Sequence, residues 1–311
     1  MKHLIIVTGE PRWDFFQLGL HQLNYLNLDG DILFNLTDSV SDRYEWQSGK
    51  LDKYNTRKEM YGQTISADDL QYVEDSIRKY FPHATIKWNS YSADYDKFCA
   101  MQTTEGYDHK WQTAFSSYIQ KLRCYVPEAA DYDIITRARL DIVISQPQMK
   151  NLKVIPDQHP TPLSERIGQI PDGAMYFGRD DTFKGTKHFQ HDWFFHWTGA
   201  AAKQYADAWQ DGAGWLASWN AYNKDNAHEG STKVEKMWNY YAQHAGVKMA
   251  NCPHNYDIDS MRLGKTKPLI TNEDQQKQYD KWLEALVPWR GTIDHLLPTW
   301  TQEDLAQINT L

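Results

Sequence analysis

Apolar and polar positions along the first half of the chain fall into two alternating periods. Residues 3–8 (HLIIVT) form a short run rich in β-branched side chains, the pattern of a strand buried on both faces. Gly9, Glu10, Pro11 and Arg12 end it, because glycine frees the backbone and proline removes a ladder donor. Across residues 13–27, Phe16, Leu20, Leu23 and Leu26 recur at helical spacing. A second strand is predicted over 31–36, then a polar stretch without period over 40–64. Ser66 opens a helix through Tyr80, with Leu70, Val73, Ile77 and Tyr80 inward. Residues 85–88 predict a third strand and 109–125 a long amphipathic helix. That helix leads to residues 131–145 (DYDIITRARLDIVIS), the strand around which the chain is organised. The order β-α-β-α-β-α-β predicts an α/β fold, a mostly parallel twisted sheet flanked by helices.

After Ser145 the text becomes proline-rich and irregular. Residues 173–178 (GAMYFG) predict another strand, and 191–197 (HDWFFHW) are a dense aromatic cluster leading into a helix over 198–209. Further helices are predicted over 233–245 and 274–286. No linker separates independent units, so residues 1–311 read as one domain, with a first half over 1–146 and a second over 147–311.

Composition narrows the classes. With 41% apolar residues a sizeable core can form, and a net charge of −8 argues against gripping nucleic acid through a global positive field. The 13 Trp and 19 Tyr suit stacking on sugars or bases as well as core filling. Three scattered cysteines, Cys99, Cys124 and Cys252, fit free thiols in a reducing compartment. No apolar run approaches spanning length, so a cytoplasmic protein is expected.

The chemistry concentrates where the apolar pattern breaks. Arg137, Arg139 and Asp141 are two apart and would project from one face of the organising strand. Three charges on an apolar segment are costly unless they meet a partner. Arginine forks fit phosphate oxygens, and a carboxylate can hold a divalent cation, so a nucleoside-diphosphate site is one reading. An internal ion-pair ladder is the other. His188, His191 and His196 lack zinc-ligand spacing, and exposed or core histidines are expected. Glu229 and Glu235 could be second carboxylates or solvated helix charges, and Lys184 and Lys187 could meet an anionic acceptor or water.

The stretch YDIITRARLDIVI resembles the "yDyiiRtRpDl" signature of WavE-like glycosyltransferases of polysaccharide and lipopolysaccharide synthesis. The opening IIVTGEPR resembles that family's Gly-Gln-x-Arg turn, with Glu10 in place of the glutamine. The block at Asp192, Trp193 and Phe194 and the segment from Glu235 to Tyr241 follow in the family's order. The resemblance implies a glycosyltransferase-A-like fold with a Rossmann-like nucleotide-sugar-binding half (1–146) and an irregular acceptor half (147–311). It implies donor contacts at Gly9, Glu10, Arg12, Arg137 and Arg139, with Asp141 on a metal (Mn2+ or Mg2+) or on the sugar. Asp192 would face the acceptor. Because a hydroxyl is a poor nucleophile, Asp192 is also the candidate for the carboxylate base that activates it, and Lys184, Lys187, Trp193 and Glu235 are the acceptor-side candidates. The other role open to Asp192 is a helix N-cap. The expected partners are a nucleotide-sugar donor and a glycan acceptor. Two alternatives remain: a DNA glycosyltransferase acting on a hydroxymethylated base, with Arg179, Lys184, Lys187 and His188 as a basic strip, and a non-catalytic carbohydrate-binding protein.

Overall fold

The computed structural model describes residues 1–9, 11, 16–38, 66–101, 118–119, 122–124, 126–140, 143–144, 158–170, 173–177, 194–209, 213–225, 240–251, 258–259 and 277. The strands in chain order are β1 (His3–Gly9), β2 (Asp31–Thr37), β3 (Thr85–Asn89), β4 (Ile134–Arg139) and β5 (Val143–Ile144). They continue with β6 (Ala174–Phe177), β7 (Phe194–Thr198), β8 (Lys248–Asn251) and β9 (Ile258–Asp259). The helices are α1 (Phe16–Tyr25), α2 (Ala67–Tyr80), α3 (Tyr91–Met101), α4 (Leu163–Ile167), α5 (Gly199–Trp209) and α6 (Ala213–Asp225).

One sheet takes seven strands in the order β3-β2-β1-β4-β7-β6-β8. β1 pairs in parallel with β2 and β4, β2 with β3, and β6 with β8. Only β7 in this sheet is reversed, antiparallel to both β4 and β6. The chain is therefore α/β with a mostly parallel sheet, as the periodicity predicts. Strands from both halves of the sequence join through the β4–β7 pairing.

Helices cover both faces, which is why β1 can carry the unbroken apolar run Leu4, Ile5, Ile6 and Val7. On the back face, Phe16, Leu20 and Leu23 of α1, Val73 and Ile77 of α2, and Leu163 and Ile167 of α4 pack on Ile5, Val7, Phe34, Leu36 and Ala138. On the front face, Tyr91 and Phe98 of α3, Tyr205 and Trp209 of α5, and Trp215 and Trp219 of α6 join Leu4, Ile6, Leu33, Ile135 and Phe195. Each such side chain, fully buried, contributes about 1.5–3 kcal/mol. α2 begins where Ser66 Oγ accepts from Asp69 N at 3.2 Å, and Asp68 and Asp69 at its start and Arg78 and Lys79 at its end complement the helix dipole.

The organising segment is not one continuous strand. Residues 127–131 form a 3-10 turn, β4 ends at Arg139, Leu140 turns, and β5 pairs with β9 in a separate two-stranded sheet. The aromatic block becomes β7, and the helix after it begins at Gly199. α3, α4, α6, β8 and β9 have no counterpart in the sequence reading. Among the side chains of α3 that are described, Tyr91 and Phe98 are the buried hydrophobic anchors, and polar residues blur the period between them. Residues 40–64 and most of the helices expected over 109–125, 233–245 and 274–286 lie outside the described residues. Among those described, no helix is long and apolar enough to cross a membrane.

Candidate functional site

The front face of the sheet changes character along its length. At the amino-terminal end it carries Leu4, Leu33 and Ile135. Toward the carboxyl-terminal edge the same face carries Thr8 on β1, Asn35 and Thr37 on β2, and Arg137 and Arg139 on β4, all buried. The back face stays apolar at that edge, with Val7, Leu36 and Ala138. Buried polar side chains need partners. Their collection on one face of one edge is the place where the sheet departs from an apolar core, and it lies at the carboxyl-terminal strand ends where ligands of open α/β sheets bind.

Arg137 and Arg139 project from one face of β4, as their spacing predicts. Arg137 pairs with Ile6 on one side and Phe195 on the other. Its Nε donates to Thr8 Oγ1 at 3.1 Å, and its Cζ lies 5.4 Å from the Phe195 ring centroid. Stacking on the ring and the hydroxyl contact both hold a guanidinium in place. Arg137 is 1% exposed and Arg139 7%, so neither stands at an open rim. Gly9 ends β1 beside them with φ 131°, a conformation that L side chains rarely adopt. A Cβ there would meet no atom within 4 Å, so the turn borders open space.

A second polar group lies at the ends of β2 and β3, and sequence reasoning missed it. Arg123, 3% exposed, donates from Nε to Thr37 Oγ1 at 3.2 Å and from Nη2 to the Asp94 carboxylate of α3. Asn35 Nδ2 donates to the Arg123 carbonyl at 2.7 Å, and Asn89 Nδ2 donates to Asn35 Oδ1 at 2.7 Å. Asp38 Oδ1 accepts from Tyr91 N at 2.7 Å at the start of α3. Burial pulls the Arg123 guanidinium down and lifts the Asp94 carboxyl, while the contact between them opposes both shifts. A guanidinium keeps its proton in proteins, so the pair is ionic. Asn35 and Thr37 were visible as polar residues interleaved with Phe34 and Leu36, the same signal that exposed Arg137 and Arg139. Arg123 carried none.

Of the residues expected at the site, the structure brings together Gly9, Arg137 and Arg139. Glu10, Arg12, Asp141, Lys184, Lys187, Asp192, Trp193 and Glu235 lie outside the described residues, as do Arg179, His188, His191 and Glu229. His196 is a core histidine, buried on β7 with Nδ1 2.7 Å from Thr136 Oγ1. Among the described residues no group of three or more His, Cys, Asp or Glu side chains could hold a metal ion.

No family model matches the chain. No curated protein matches it either. Among solved structures it is similar to the apo form of mouse xyloside xylosyltransferase 1, with 10% identity over 80% of this chain and 84% of that one. The TM-score is 0.40, a likeness too distant to assign an activity.

Proposed function

We propose that the chain is a glycosyltransferase that moves a sugar from a nucleoside-diphosphate sugar to a hydroxyl acceptor. One observation carries this reading: β4 places two arginines on the front face at the carboxyl-terminal edge, beside the Gly9 turn, where the back face stays apolar. Ligands of open α/β sheets bind outside that edge. Paired guanidinium forks fit the oxygens of a diphosphate. The resemblance of residues 132–144 to the WavE-like signature supports sugar transfer as the particular chemistry.

In this mechanism the bond from the anomeric carbon to the β-phosphate oxygen breaks, and negative charge grows on that phosphate. Arg137 and Arg139 take up the charge, and their enclosure strengthens each contact relative to water. Gly9, Glu10 and Arg12 complete the donor side. Asp192 removes the proton of the acceptor hydroxyl, and Lys184, Lys187, Trp193 and Glu235 hold the acceptor, a glycan. A divalent cation, if Asp141 holds one, would add charge at the same phosphate. The described residues offer no cluster to complete its coordination, so no step here depends on it.

The test is a thermal-shift panel of nucleoside diphosphates and nucleotide sugars, with and without manganese, on the wild type and Arg139→Ala. Wild-type protein is expected to gain several degrees with a nucleoside diphosphate, and Arg139→Ala to lose that gain while keeping native circular dichroism. A folded Arg139→Ala that gains as much as the wild type would remove the arginine from the donor site. No shift with any nucleotide would end the reading.

A further inference from the structure

The back face of β4 carries a polar group that the proposed chemistry does not use. Thr136 Oγ1 lies 2.6 Å from His3 Nε2 on β1 and 2.7 Å from His196 Nδ1 on β7. All three residues are buried. The Asp29 carboxylate stands 3.7 Å from His3 Nδ1 and is itself held by the Ser164 amide at 3.0 Å and the Ser164 hydroxyl. A threonine hydroxyl has a single proton to give. With two imidazole nitrogens on one oxygen, the hydroxyl can donate to at most one ring and accepts from the other or from both.

β4 is hydrogen-bonded to β1 on one side and β7 on the other, so the shared hydroxyl ties it to both neighbours. Thr136 is followed by Arg137, which points to the opposite face. Its partner His196 is preceded by Phe195, the ring under the Arg137 guanidinium. A small rotation of β4 about its own axis would therefore swing both arginines, and the threonine anchor resists it. We infer that His3, Thr136 and His196 are positioning residues for Arg137 and Arg139, acting through β4 from the face the ligand never touches. The inference rests on the proposed diphosphate site and deepens it, because it names what fixes the arginines there.

The test uses the full chain and measures dissociation constants for inorganic pyrophosphate and uridine diphosphate by calorimetry. Thr136→Val keeps the shape and removes the hydroxyl, and Thr136→Ser restores it. The control is Val73→Ala, which loosens the α2 packing outside the cluster. Thr136→Val is expected to bind the probes about tenfold more weakly, a difference that Ser reverses and that the control does not reproduce at an equal loss of melting temperature. If Thr136→Val does not fold, His3→Leu removes one of the two anchors and is read in the same way. Wild-type affinity in the folded valine or leucine variant would overturn the inference while leaving the diphosphate site intact. A wild type that binds neither probe would overturn both.

Discussion

Asp94 and Arg123 show how much a single buried charge depends on its neighbour. The two side chains are 16% and 4% exposed, and burial works against the charge on each. Removing one partner leaves the other without compensation, which costs about 3 kcal/mol for a buried pair. Asp94→Ala is therefore expected to lower the free energy of unfolding by about that amount, measured by urea titration. The double variant Asp94→Ala with Arg123→Met should recover part of the loss, because no orphaned cation remains. If the double variant is as unstable as the two single losses summed, the pair is not coupled. Arg137 is held differently, by a hydroxyl and an aromatic face.

At the scale of elements, α1 packs closely on the backbone just past the end of β4. A Cβ at Gly19 would sit 2.0 Å from the Leu140 carbonyl oxygen, a backbone atom that cannot step aside. Alanine would favour the helix by about 1 kcal/mol, but forcing the two backbones apart costs about 3 kcal/mol, so the clash decides the sign. Gly19→Ala is expected to melt several degrees lower, read by circular dichroism. A neutral or stabilising result would mean that α1 can lift from β4 freely. The sequence misled at the same place: the run from 134 to 144 looks like one strand because its β-branched pattern does not break at Leu140, where the chain turns. β1, β2, β3 and α2 were legible because period, caps and turns agreed locally. β7 was hidden because Phe194, Phe195 and Trp197 fill both of its faces, which leaves no alternation to read. Within the site, Arg137 and Arg139 stood out as charges in an apolar run. Arg123 and Asp94 did not, because their pairing spans 29 residues and exists only once α3 is in place.

At the scale of the whole molecule, the same back-face cluster gives stability a dependence on pH. Burial holds the His3 imidazole down to about 4, against the opposing pull of Asp29. The unfolded chain binds that proton near pH 6.5, whereas the native state resists it. Stability is thus fully present above about pH 6.5 and is lost as pH falls toward 4, by up to about 3 kcal/mol. Burial alone would raise the Asp29 carboxyl, but the Ser164 contacts and His3 outweigh it and leave it lowered, so it does not share this window. Urea midpoints from pH 7.5 to 4.5 should fall for the wild type and fall less for His3→Leu. Parallel curves would show that other groups set the acid limb.

The reversal of β7 has a further consequence. β6 ends and β7 begins at the same edge of the sheet, the edge where β1, β2 and β4 also end. At the opposite edge the chain passes between elements in short turns, at residues 26–30 and 81–84. β1, β2 and β6 therefore deliver the chain to that edge and β7 takes it up there, while the described apolar core lies behind it. Such an arrangement separates a chassis from its tooling. Substitutions at the carboxyl-terminal ends of β1, β2 and β4 would thus reshape that edge, while Leu4, Ile5, Ile6, Leu33, Phe34 and Ile135 behind it keep the sheet packed.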